Sequence, residues 1–430
     1  MPRYHIWTVG CQMNEADSAK LAAGLQCLGW EQTPRPEEAD LVVLNTCVVR
    51  QKAEQRGISK LGALRRLKER SNGRRPKIAV MGCMVGLRTD SLQERFPFVD
   101  VFARPQAFSR LLAAVAPQED VRGEFWPETF PQAPGPTAYV PVIHGCNKFC
   151  TFCIVPYRRG RERSRPIAEV AHEVEVLVAR GVKEVTLLGQ TVEAYGHDLP
   201  ERPSLADLFR AIHDIRGLTR IRFLTSYPKD MTDDIIQAVS ELPKVCEHFN
   251  IPVQSGDDTI LARMRRGYTL REYRDVVDTI RRWLPAAAIS TDVIVGFCGE
   301  TDEQFRRTCD LLAELRFDKV HVAAYSPRPG TIAWRTLTDD VPQQLKMERL
   351  HTIEELQEGI AAEINARLQG TLQEVLVEGE KGDKLNGRTR SDKIVHFHGQ
   401  ARPGDLVNVR IEKTSAWSLQ GKQTRGEVEE

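Results

Sequence analysis

Hydrophobic and polar positions divide the chain into three regions, of which the first covers residues 1–118. Apolar runs of strand length at Tyr4–Val9, Leu41–Asn45 and Ile78–Met81 alternate there with stretches of helical pattern. Strands that alternate with helices along a chain are typical of a parallel sheet covered by helices. We therefore predict a small parallel α/β domain for the first region.

The second region, residues 139–368, repeats a strand–helix unit six times, after a proline-rich segment at 119–138 that predicts an extended linker. The predicted strands are Tyr139–Ile143, Glu184–Leu188, Arg220–Thr225, His248–Val253, Ile289–Val295 and Lys319–Tyr325. The predicted helices include Ile167–Arg180, Ser204–Ile215, Thr232–Glu241, Glu303–Leu315 and, at the end of the region, Gln343–Leu368. Consecutive βα units cross over right-handed and curl toward a barrel. We expect a partial (βα)6 barrel with its active site at the C-terminal ends of the strands.

The third region, residues 369–430, has short apolar runs separated by polar turns. These runs lie at Glu374–Glu378, Ile394–Phe397 and Leu406–Ile411. Several short strands in about 60 residues indicate a small β-barrel. The predicted fold class is therefore α/β, with a small parallel α/β domain, a partial (βα)6 barrel and a small C-terminal β-barrel.

The composition limits where the protein works. The 430 residues include 60 Lys and Arg against 59 Asp and Glu, so the net charge of +1 gives no global electrostatic argument for nucleic acid. No apolar run approaches the ~20 residues that span a bilayer, and Met1–Val9 has the pattern of a strand rather than of a signal segment. We expect a cytoplasmic protein with no membrane partner. Ten cysteines in that reducing compartment indicate metal or redox chemistry rather than disulfides.

Three cysteines follow the first strand of the predicted barrel, in the sequence GCNKFCTFC: Cys146, Cys150 and Cys153. The C-x3-C-x2-C spacing allows three thiolates to reach three corners of a [4Fe-4S] cluster. Three protein ligands leave one iron open, and an open coordination position is the mark of a catalytic metal site. The alternative is three buried structural cysteines. The tight spacing at a strand end favours the catalytic cluster.

A second set of cysteines is spread over the first region. Cys11, Cys47 and Cys83 each come two residues after the end of one of its predicted strands. Ligands of open parallel sheets bind in the crevice beyond the carboxyl ends of the strands. We therefore predict that these three cysteines converge on a second cluster, the alternative being that they are small buried residues.

The remaining four cysteines lack this placement. Cys27 and Cys309 fall in helical stretches, where we expect them to pack in the core. Cys246 precedes a strand and Cys298 lies in a loop, and neither is assigned a role.

The cysteine pattern after the first barrel strand resembles that of the radical S-adenosylmethionine (SAM) superfamily. The added N-terminal cysteines and the C-terminal β-domain are similar to its methylthiotransferase branch. The resemblance covers nearly the whole chain and implies an N-terminal methylthiotransferase domain, a radical SAM barrel and a TRAM domain.

Three subgroups of that branch modify isopentenyl-adenosine in tRNA, threonylcarbamoyl-adenosine in tRNA, or an aspartate of a ribosomal protein. Gly10–Glu15 (GCQMNE) resembles the first, MiaB-type, subgroup, whereas the others typically have Gly-Cys-Lys-Val-Asn or Gly-Cys-Pro-Lys-Asn there. Asn45–Arg50 (NTCVVR), Gly145–Lys148 (GCNK) and Val155–Tyr157 (VPY) indicate the same subgroup. The resemblance therefore favours modification of isopentenyl-adenosine next to the anticodon.

Five positions depart from the usual pattern of the family. Arg158 stands where Thr is common, Thr191 and Glu193 replace two asparagines, Asn250 replaces His, and Cys298 replaces Pro. None of these positions is one of the six predicted cluster cysteines. Since two of them lie in the loop after the second barrel strand, the fine shape of the substrate pocket does not follow from the resemblance.

The resemblance also implies cofactors and a mechanism. The open iron of the first cluster would bind SAM, whose one-electron cleavage gives a 5′-deoxyadenosyl radical that abstracts hydrogen from carbon 2 of the adenine. The second [4Fe-4S] cluster would carry the inserted sulfur, and a second SAM would supply the methyl group. The implied partners are the anticodon loop of tRNA, a one-electron donor such as flavodoxin or ferredoxin, and proteins that supply sulfur and clusters.

Candidates for contacts with SAM lie at or just beyond the ends of the barrel strands. They are Gly189, Gln190, Ser226, Gln254, Ser255, Gly256, Asp292 and Gly296. Position and resemblance both support them, and each alone could equally be a turn residue or a polar group of a barrel layer.

Local basic segments support RNA binding despite the neutral total charge. Arg56–Lys77 contains nine Lys or Arg and one acid, and five arginines lie within Arg158–Arg165. Either segment can neutralise phosphates, the alternative being a solvated face. In the third region, aromatic residues accompany basic ones, a combination that suits stacking on unpaired bases. These residues are Phe397, Trp417, Lys393, Arg410 and Lys413. A rival hypothesis is an iron–sulfur RNA-binding module without catalysis, but such a module would not need an open iron.

Overall fold

The computed structural model describes residues 1–49, 51–70, 76–115 and 134–424. Most of the predicted linker and part of the basic segment Arg56–Lys77 lie outside the described residues. The strands are β1 Arg3–Val9, β2 Glu31–Gln32, β3 Leu41–Thr46, β4 Lys77–Gly82, β5 Val101–Ala103, β6 Thr137–Pro141, β7 Ile143–His144, β8 Arg163–Ser164, β9 Glu184–Leu188, β10 Arg220–Leu224, β11 His248–Asn250, β12 Ala288–Val295, β13 Lys319–Ala324, β14 Leu372–Lys381, β15 Lys384–Thr389, β16 Ile394–His398, β17 Leu406–Thr414 and β18 Leu419–Gln423. The helices are α1 Gln12–Cys27, α2 Gln51–Arg70, α3 Asp90–Arg95, α4 Phe108–Val115, α5 Val155–Arg159, α6 Ile167–Ala179, α7 Leu205–His213, α8 Asp233–Glu241, α9 Asp258–Arg263, α10 Leu270–Trp283, α11 Asp302–Leu315, α12 Ile332–Thr336 and α13 Gln343–Ala366.

The N-terminal region is a five-stranded parallel sheet in the order β2-β1-β3-β4-β5. Side chains alternate across β3, so that Val43 packs with α1 and α4 while Val42 and Leu44 pack with α2. The predicted parallel α/β domain is confirmed. Two edge strands, β2 and β5, were missed because they are only two and three residues long.

The central region contains six parallel strands in the order β6-β9-β10 and β11-β12-β13, joined by a bridge between Ile221 and Val245. The predicted six-stranded partial barrel is confirmed, and its helices pack outside around a buried apolar core. Two predicted strands were too long. The first ends at Pro141, and the fourth ends at Asn250 shortly before Pro252, because proline has no N–H for the ladder.

The C-terminal region is a closed barrel in the order β14-β15-β16-β18-β17, as predicted. Two of its strands, β15 (KLNGRT) and β18 (LQGKQ), were missed. Their polar, glycine-containing sequences lack the apolar alternation that identifies a strand, yet each presents a side chain to the core, Leu385 and Leu419.

The C-terminal barrel is attached to the amino ends of the central strands. Arg220, at the start of β10, is fully buried and donates to the backbone oxygen of Arg388 (2.8 Å) and to the Glu374 carboxylate (2.8 Å). Two residues later, Arg222 donates to the carbonyl oxygens of Thr389 and Arg390. The turn between β15 and β16 therefore closes this end of the central barrel, opposite the strand ends predicted to form the active site.

Two further predictions concern cysteines that lie outside the two predicted cluster sets. Cys309 packs against the central core as expected, but the prediction for Cys27 is wrong: this last residue of α1 is exposed. No helix among the described residues is long and apolar enough to cross a membrane.

Candidate functional site

Three loops at the carboxyl edge of the N-terminal sheet carry Cys11, Cys47 and Cys83. The strands are in register, with Val9 opposite Thr46 and Thr46 opposite Gly82 on the two sides of β3. The cysteines therefore leave the sheet side by side. They are close enough for the charges of Cys47 and Cys11 to raise the pKa of the Cys83 thiol, which burial raises to about 11.

A buried hydrogen-bond network holds these loops together. The side chain of Asn14 donates to Asn45 Oδ1 (2.8 Å) and to the backbone oxygen of Thr46 (3.0 Å), and Asn45 donates back to the Asn14 carbonyl (2.8 Å). The Cys83 N–H donates to the same Thr46 oxygen (2.8 Å). Gly82 has φ +93°, and a Cβ there would lie 2.4 Å from that oxygen. Asn14, Asn45 and Gly82 thus fix the positions of the three cysteine loops.

The loop with Cys146, Cys150 and Cys153 follows the short strand β7. Gly145 has φ +75°, and a Cβ at this residue would lie 2.0 Å from the Arg161 carbonyl oxygen, so the backbones approach too closely for any other residue. The Cys146 N–H donates to Gly160 O (3.1 Å), which closes the loop against the segment after α5. The first predicted barrel strand therefore leads directly into a tightly held cysteine loop.

Two thiols of this loop, those of Cys146 and Cys150, are buried, and that of Cys153 is partly buried. Burial, together with the charges of Cys150 and Cys146, raises the pKa of the Cys153 thiol to about 12. The Thr191 hydroxyl lies 3.6 Å from Cys146 Sγ, so one of the departures from the family pattern contacts a predicted ligand. A guanidinium nitrogen of Arg266 lies 3.2 Å from Cys150 Sγ.

A second buried arginine joins the two cysteine sets. Arg159, the last residue of α5, donates to Asp17 on α1 (2.8 Å), and both side chains are almost completely buried. Its charge also lowers the pKa of the Cys83 thiol, although burial outweighs this effect. The helix that follows Cys153 is thus anchored beside the other set.

The candidates for SAM contacts lie around the carboxyl ends of the barrel strands. Gln190 Oε1 and Gln254 Oε1 are buried and have no hydrogen-bond partner in the described part of the chain. Asp292 accepts from Asn250 Nδ2 (3.2 Å), so a second departure contacts a candidate. At Gly296 (φ +67°), a Cβ would lie 2.3 Å from Lys346 Cγ.

The neighbouring Glu193 is also buried, and burial raises its pKa to about 8. One oxygen of its carboxyl accepts from the Tyr227 N–H (3.2 Å), and the side chain contacts Ser226. The other oxygen has no partner among the described residues. Glu193, itself a departure from the family pattern, therefore adds a hydrogen-bonding group next to the candidate Ser226.

The donor sets fit two iron–sulfur clusters and SAM. Buried thiols with raised pKa values need a strong positive charge to become thiolates, and metal binding provides it. In the ranges that the structure describes, no three Cys, His, Asp or Glu residues are arranged to hold one metal ion. A [4Fe-4S] cluster differs in that each thiolate binds its own iron, so the ligands stand farther apart. The unpartnered oxygens of Gln190 and Gln254 suit the polar groups of a nucleoside or amino acid.

The structure corrects the RNA predictions for two segments. Within Arg158–Arg165, Arg159 and Arg165 are buried in ion pairs with acidic residues, which leaves only part of that run for phosphates. In the C-terminal barrel, Phe397 is completely buried in the core and cannot stack on a base.

The other basic and aromatic residues predicted to bind RNA differ in their contacts and exposure. Lys393 forms an ion pair with Asp318 of the central barrel (2.7 Å), and Arg410 donates to the Gly370 carbonyl oxygen (3.2 Å). Trp417 and Lys413 are exposed, as are several basic residues on α2. These exposed basic residues are Lys52, Arg56, Lys60, Arg65, Arg66 and Arg70.

Sequence reasoning missed Arg266 and assigned Arg159 to an RNA surface. Arg266 lies 116 residues from Cys150, and no local pattern connects them. Arg159 stands among other arginines, and only the fold reveals that Asp17, 142 residues earlier, is its partner.

Three family models match successive parts of the chain: Uncharacterized protein family UPF0004 over residues 3–103, Radical SAM superfamily over 140–312 and TRAM domain over 366–423. The chain is 48% identical over 98% of its length to a tRNA-2-methylthio-N(6)-dimethylallyladenosine synthase of Dehalococcoides mccartyi, of which the match covers 98%. It is 49% identical over 99% of its length to the synthase of the same name from Roseiflexus sp., covering 90% of that protein.

Among solved structures, the chain is similar to the radical S-adenosylmethionine methyltransferase TsrM of Kitasatospora setae, which has cobalamin and a [4Fe-4S] cluster bound. The TM-score is 0.57 at 16% identity, and the match covers 78% of this chain and 77% of that one. At this identity the likeness concerns the fold alone.

Proposed function

Because this chain belongs to the family of tRNA-2-methylthio-N(6)-dimethylallyladenosine synthases, we infer that its two cysteine sets hold the two [4Fe-4S] clusters with which that family works. The protein is a radical SAM methylthiotransferase that converts N6-isopentenyladenosine in tRNA to its 2-methylthio derivative. The names of the relatives favour this substrate over threonylcarbamoyl-adenosine or a ribosomal aspartate.

We assign the SAM-binding cluster to Cys146, Cys150 and Cys153, and the auxiliary cluster to Cys11, Cys47 and Cys83. The observation that carries this assignment is that each set consists of three thiols on loops that follow strands, and that the charges of two thiols act on the third in each set. Three ligands leave one iron of each cluster open, for SAM in one case and for sulfur in the other.

When bound, the clusters and SAM supply the electron, the 5′-deoxyadenosyl radical and the sulfur that functionalise carbon 2 of the adenine. The residues of the chain bind and orient these groups. Gln190 and Gln254 offer buried oxygens to SAM, with Ser226, Asp292 and Gly296 lining the same strand ends. Glu193 holds a proton at neutral pH because its pKa is about 8, so it adds a neutral hydrogen-bonding group beside Ser226.

The fold holds the two cysteine sets, to which we assign different tasks, beside each other. The ion pair of Arg159 and Asp17 holds the helix that follows Cys153 against the helix that follows Cys11, so the residues that would hold the two clusters belong to neighbouring parts of one site. Four of the six thiols, those of Cys47, Cys83, Cys146 and Cys150, are buried, and excluding water there would protect a carbon radical from side reactions.

We also propose the partners of the reaction and the boundaries of the domains. The exposed basic face of α2 and the exposed Trp417 of the TRAM domain would contact the anticodon arm of tRNA. A one-electron donor such as flavodoxin or ferredoxin, and proteins that supply sulfur and clusters, complete the reaction in the cytoplasm. We place the domain boundaries at 1–118, 139–368 and 369–430, with a proline-rich linker at 119–138.

Mass spectrometry of nucleosides from the tRNA of a strain that lacks this gene tests the function. We expect 2-methylthio-isopentenyladenosine to be lost and isopentenyladenosine to accumulate, and the gene to restore the methylthio product when returned. A strain in which that nucleoside persists while another methylthio product disappears would refute the substrate assignment.

A further inference from the structure

One buried cation contacts the radical cysteine set from outside its loop. The guanidinium of Arg266 donates from Nη1 to Cys150 Sγ (3.2 Å), from Nη2 to Pro252 O (3.1 Å) and from Nε to the Tyr268 hydroxyl (2.9 Å). Its charge lies 4.8 Å from the ring centre of Tyr227 and 5.2 Å from that of Tyr268. Hydrogen bonds and rings therefore hold the guanidinium in one orientation, with one N–H directed at the thiol.

Arg266 differs from the other buried arginines of the protein in what balances its charge. Arg159, Arg165 and Arg349 each pair with a buried carboxylate. The polar partners of Arg266 are instead a thiol, a carbonyl and a phenol, and the nearest groups able to carry negative charge are Cys150 and Tyr268. An uncompensated buried charge is very unfavourable, so an anion at the position of Cys150 would balance the charge of Arg266.

We propose that Arg266 is a positioning residue that acts through Cys150 to raise the reduction potential of the SAM-binding cluster. The inference rests on the proposed assignment of Cys146, Cys150 and Cys153 as ligands. Reduction adds one electron, taken from an external one-electron donor, and neither a bond nor a proton changes. The reduced form carries one more negative charge, which a cation and an N–H···S hydrogen bond stabilise more than they stabilise the oxidised form.

The effect falls on the SAM-binding set, which Arg266 contacts. Arg159 lies beside Cys83 of the auxiliary set, where its charge is shared with the Asp17 carboxylate.

The test is a redox titration of the full-length protein with both clusters, monitored by the electron paramagnetic resonance signal that changes when SAM is added. We expect Arg266→Met to lower the ratio of reduced to oxidised cluster about tenfold at a fixed applied potential, which is a 59 mV shift for one electron. Arg266→Lys retains the charge without the directed N–H fork, so a smaller shift in the same direction is expected.

The matched control is Arg265→Met, which removes the same charge from the adjacent, exposed residue and should leave the potential unchanged. An unchanged potential in Arg266→Met with wild-type iron content would overturn the inference. If Arg266→Met fails to bind iron, Arg266→Lys becomes the deciding variant. A midpoint potential of Arg266→Lys equal to that of the wild type would equally overturn the inference. Failure of the ligand assignment is distinguishable, since Cys150→Ala would then keep the SAM-sensitive signal.

Discussion

The Arg159 guanidinium lies 2.8 Å from the Asp17 carboxylate, and this buried ion pair connects the two cysteine sets. Arg159 ends the helix that begins just after Cys153, and Asp17 lies on the helix that Cys11 caps. The pair therefore sets the position of one cluster loop relative to the other, across two domains that are separate along the chain.

Breaking this pair is expected to destabilise the protein strongly. Arg159→Met should lower the free energy of unfolding by about 3–5 kcal/mol because the Asp17 charge remains buried and unpaired. The double variant Arg159→Met/Asp17→Leu should recover most of that loss. Urea denaturation under anaerobic conditions measures both, with the exposed Arg163→Met as control, for which a change within ~0.5 kcal/mol is expected. A loss in Arg159→Met no larger than in the control would contradict the role of the pair.

The two cysteine sets should fail in different ways. We expect Cys150→Ala to abolish SAM cleavage, because the iron that binds SAM is lost. We expect Cys47→Ala to leave cleavage largely intact but to prevent sulfur insertion, and each variant to lose about half of the iron. Chromatography of 5′-deoxyadenosine and of tRNA nucleosides separates these activities, and Cys27→Ala, at an exposed cysteine, is the control. Equal loss of cleavage in both cluster variants would disprove the division of labour.

Glu193 should make stability depend on pH. Burial raises its pKa to about 8 from an ordinary value of 4.5, so between these pH values the unfolded chain is ionised while the folded protein stays protonated. The folded state then binds more protons, and its stability falls as pH rises through this window, by up to ~1.4 kcal/mol per unit. Below pH 4.5 the residue contributes no pH dependence.

Glu193→Gln keeps the shape of the protonated carboxyl and should remove this slope. The unfolding free energies of Glu193→Gln, measured in urea at several pH values between 5 and 8, should diverge from those of the wild type as pH rises. Glu175→Gln, at an exposed position on α6, should preserve the wild-type slope. Parallel curves for the wild type and Glu193→Gln would refute the assignment of a neutral carboxyl.

The two aromatic residues of the C-terminal barrel should behave in opposite ways. Trp417, with 52% of its surface exposed, should contribute to tRNA binding, so Trp417→Ala should weaken it by about 1–3 kcal/mol without loss of stability. Phe397 is buried, so Phe397→Ala should lower the unfolding free energy by about 3–5 kcal/mol. Filter binding and denaturation measure the two effects. Wild-type tRNA affinity in Trp417→Ala would exclude this residue from the RNA surface.

Features that follow from regular secondary structure could be predicted from the sequence. Cys11, Cys47 and Cys83 were found because parallel strands end at one edge, so that residues far apart in sequence become neighbours. The domain architecture followed from hydrophobic periodicity for the same reason. The polar strands β15 and β18 were missed because pairing with two neighbouring strands of the barrel stabilises them, rather than an apolar pattern of their own.

Burial of charge could not be predicted from the local sequence. Five arginines within eight residues suggested a phosphate-binding surface, but acidic partners supplied by other segments bury two of them. Arg266 belongs to a loop with no recognisable motif, and only the fold brings it to Cys150.

The length of α13 has a consequence for the size of the substrate. Near its first turn, Lys346 packs against Gly296 at the carboxyl ends of the strands, and near its last turn Asn365 donates to the carbonyl oxygen of Ser415 in the turn that carries Trp417. The 24 residues of this helix span about 36 Å. A free nucleoside or a trinucleotide could enter the site at the carboxyl ends of the barrel strands but could not reach Trp417 at the same time. An RNA that contacts both must extend over a comparable distance, so short fragments that carry the same modified base would lose the contact with Trp417.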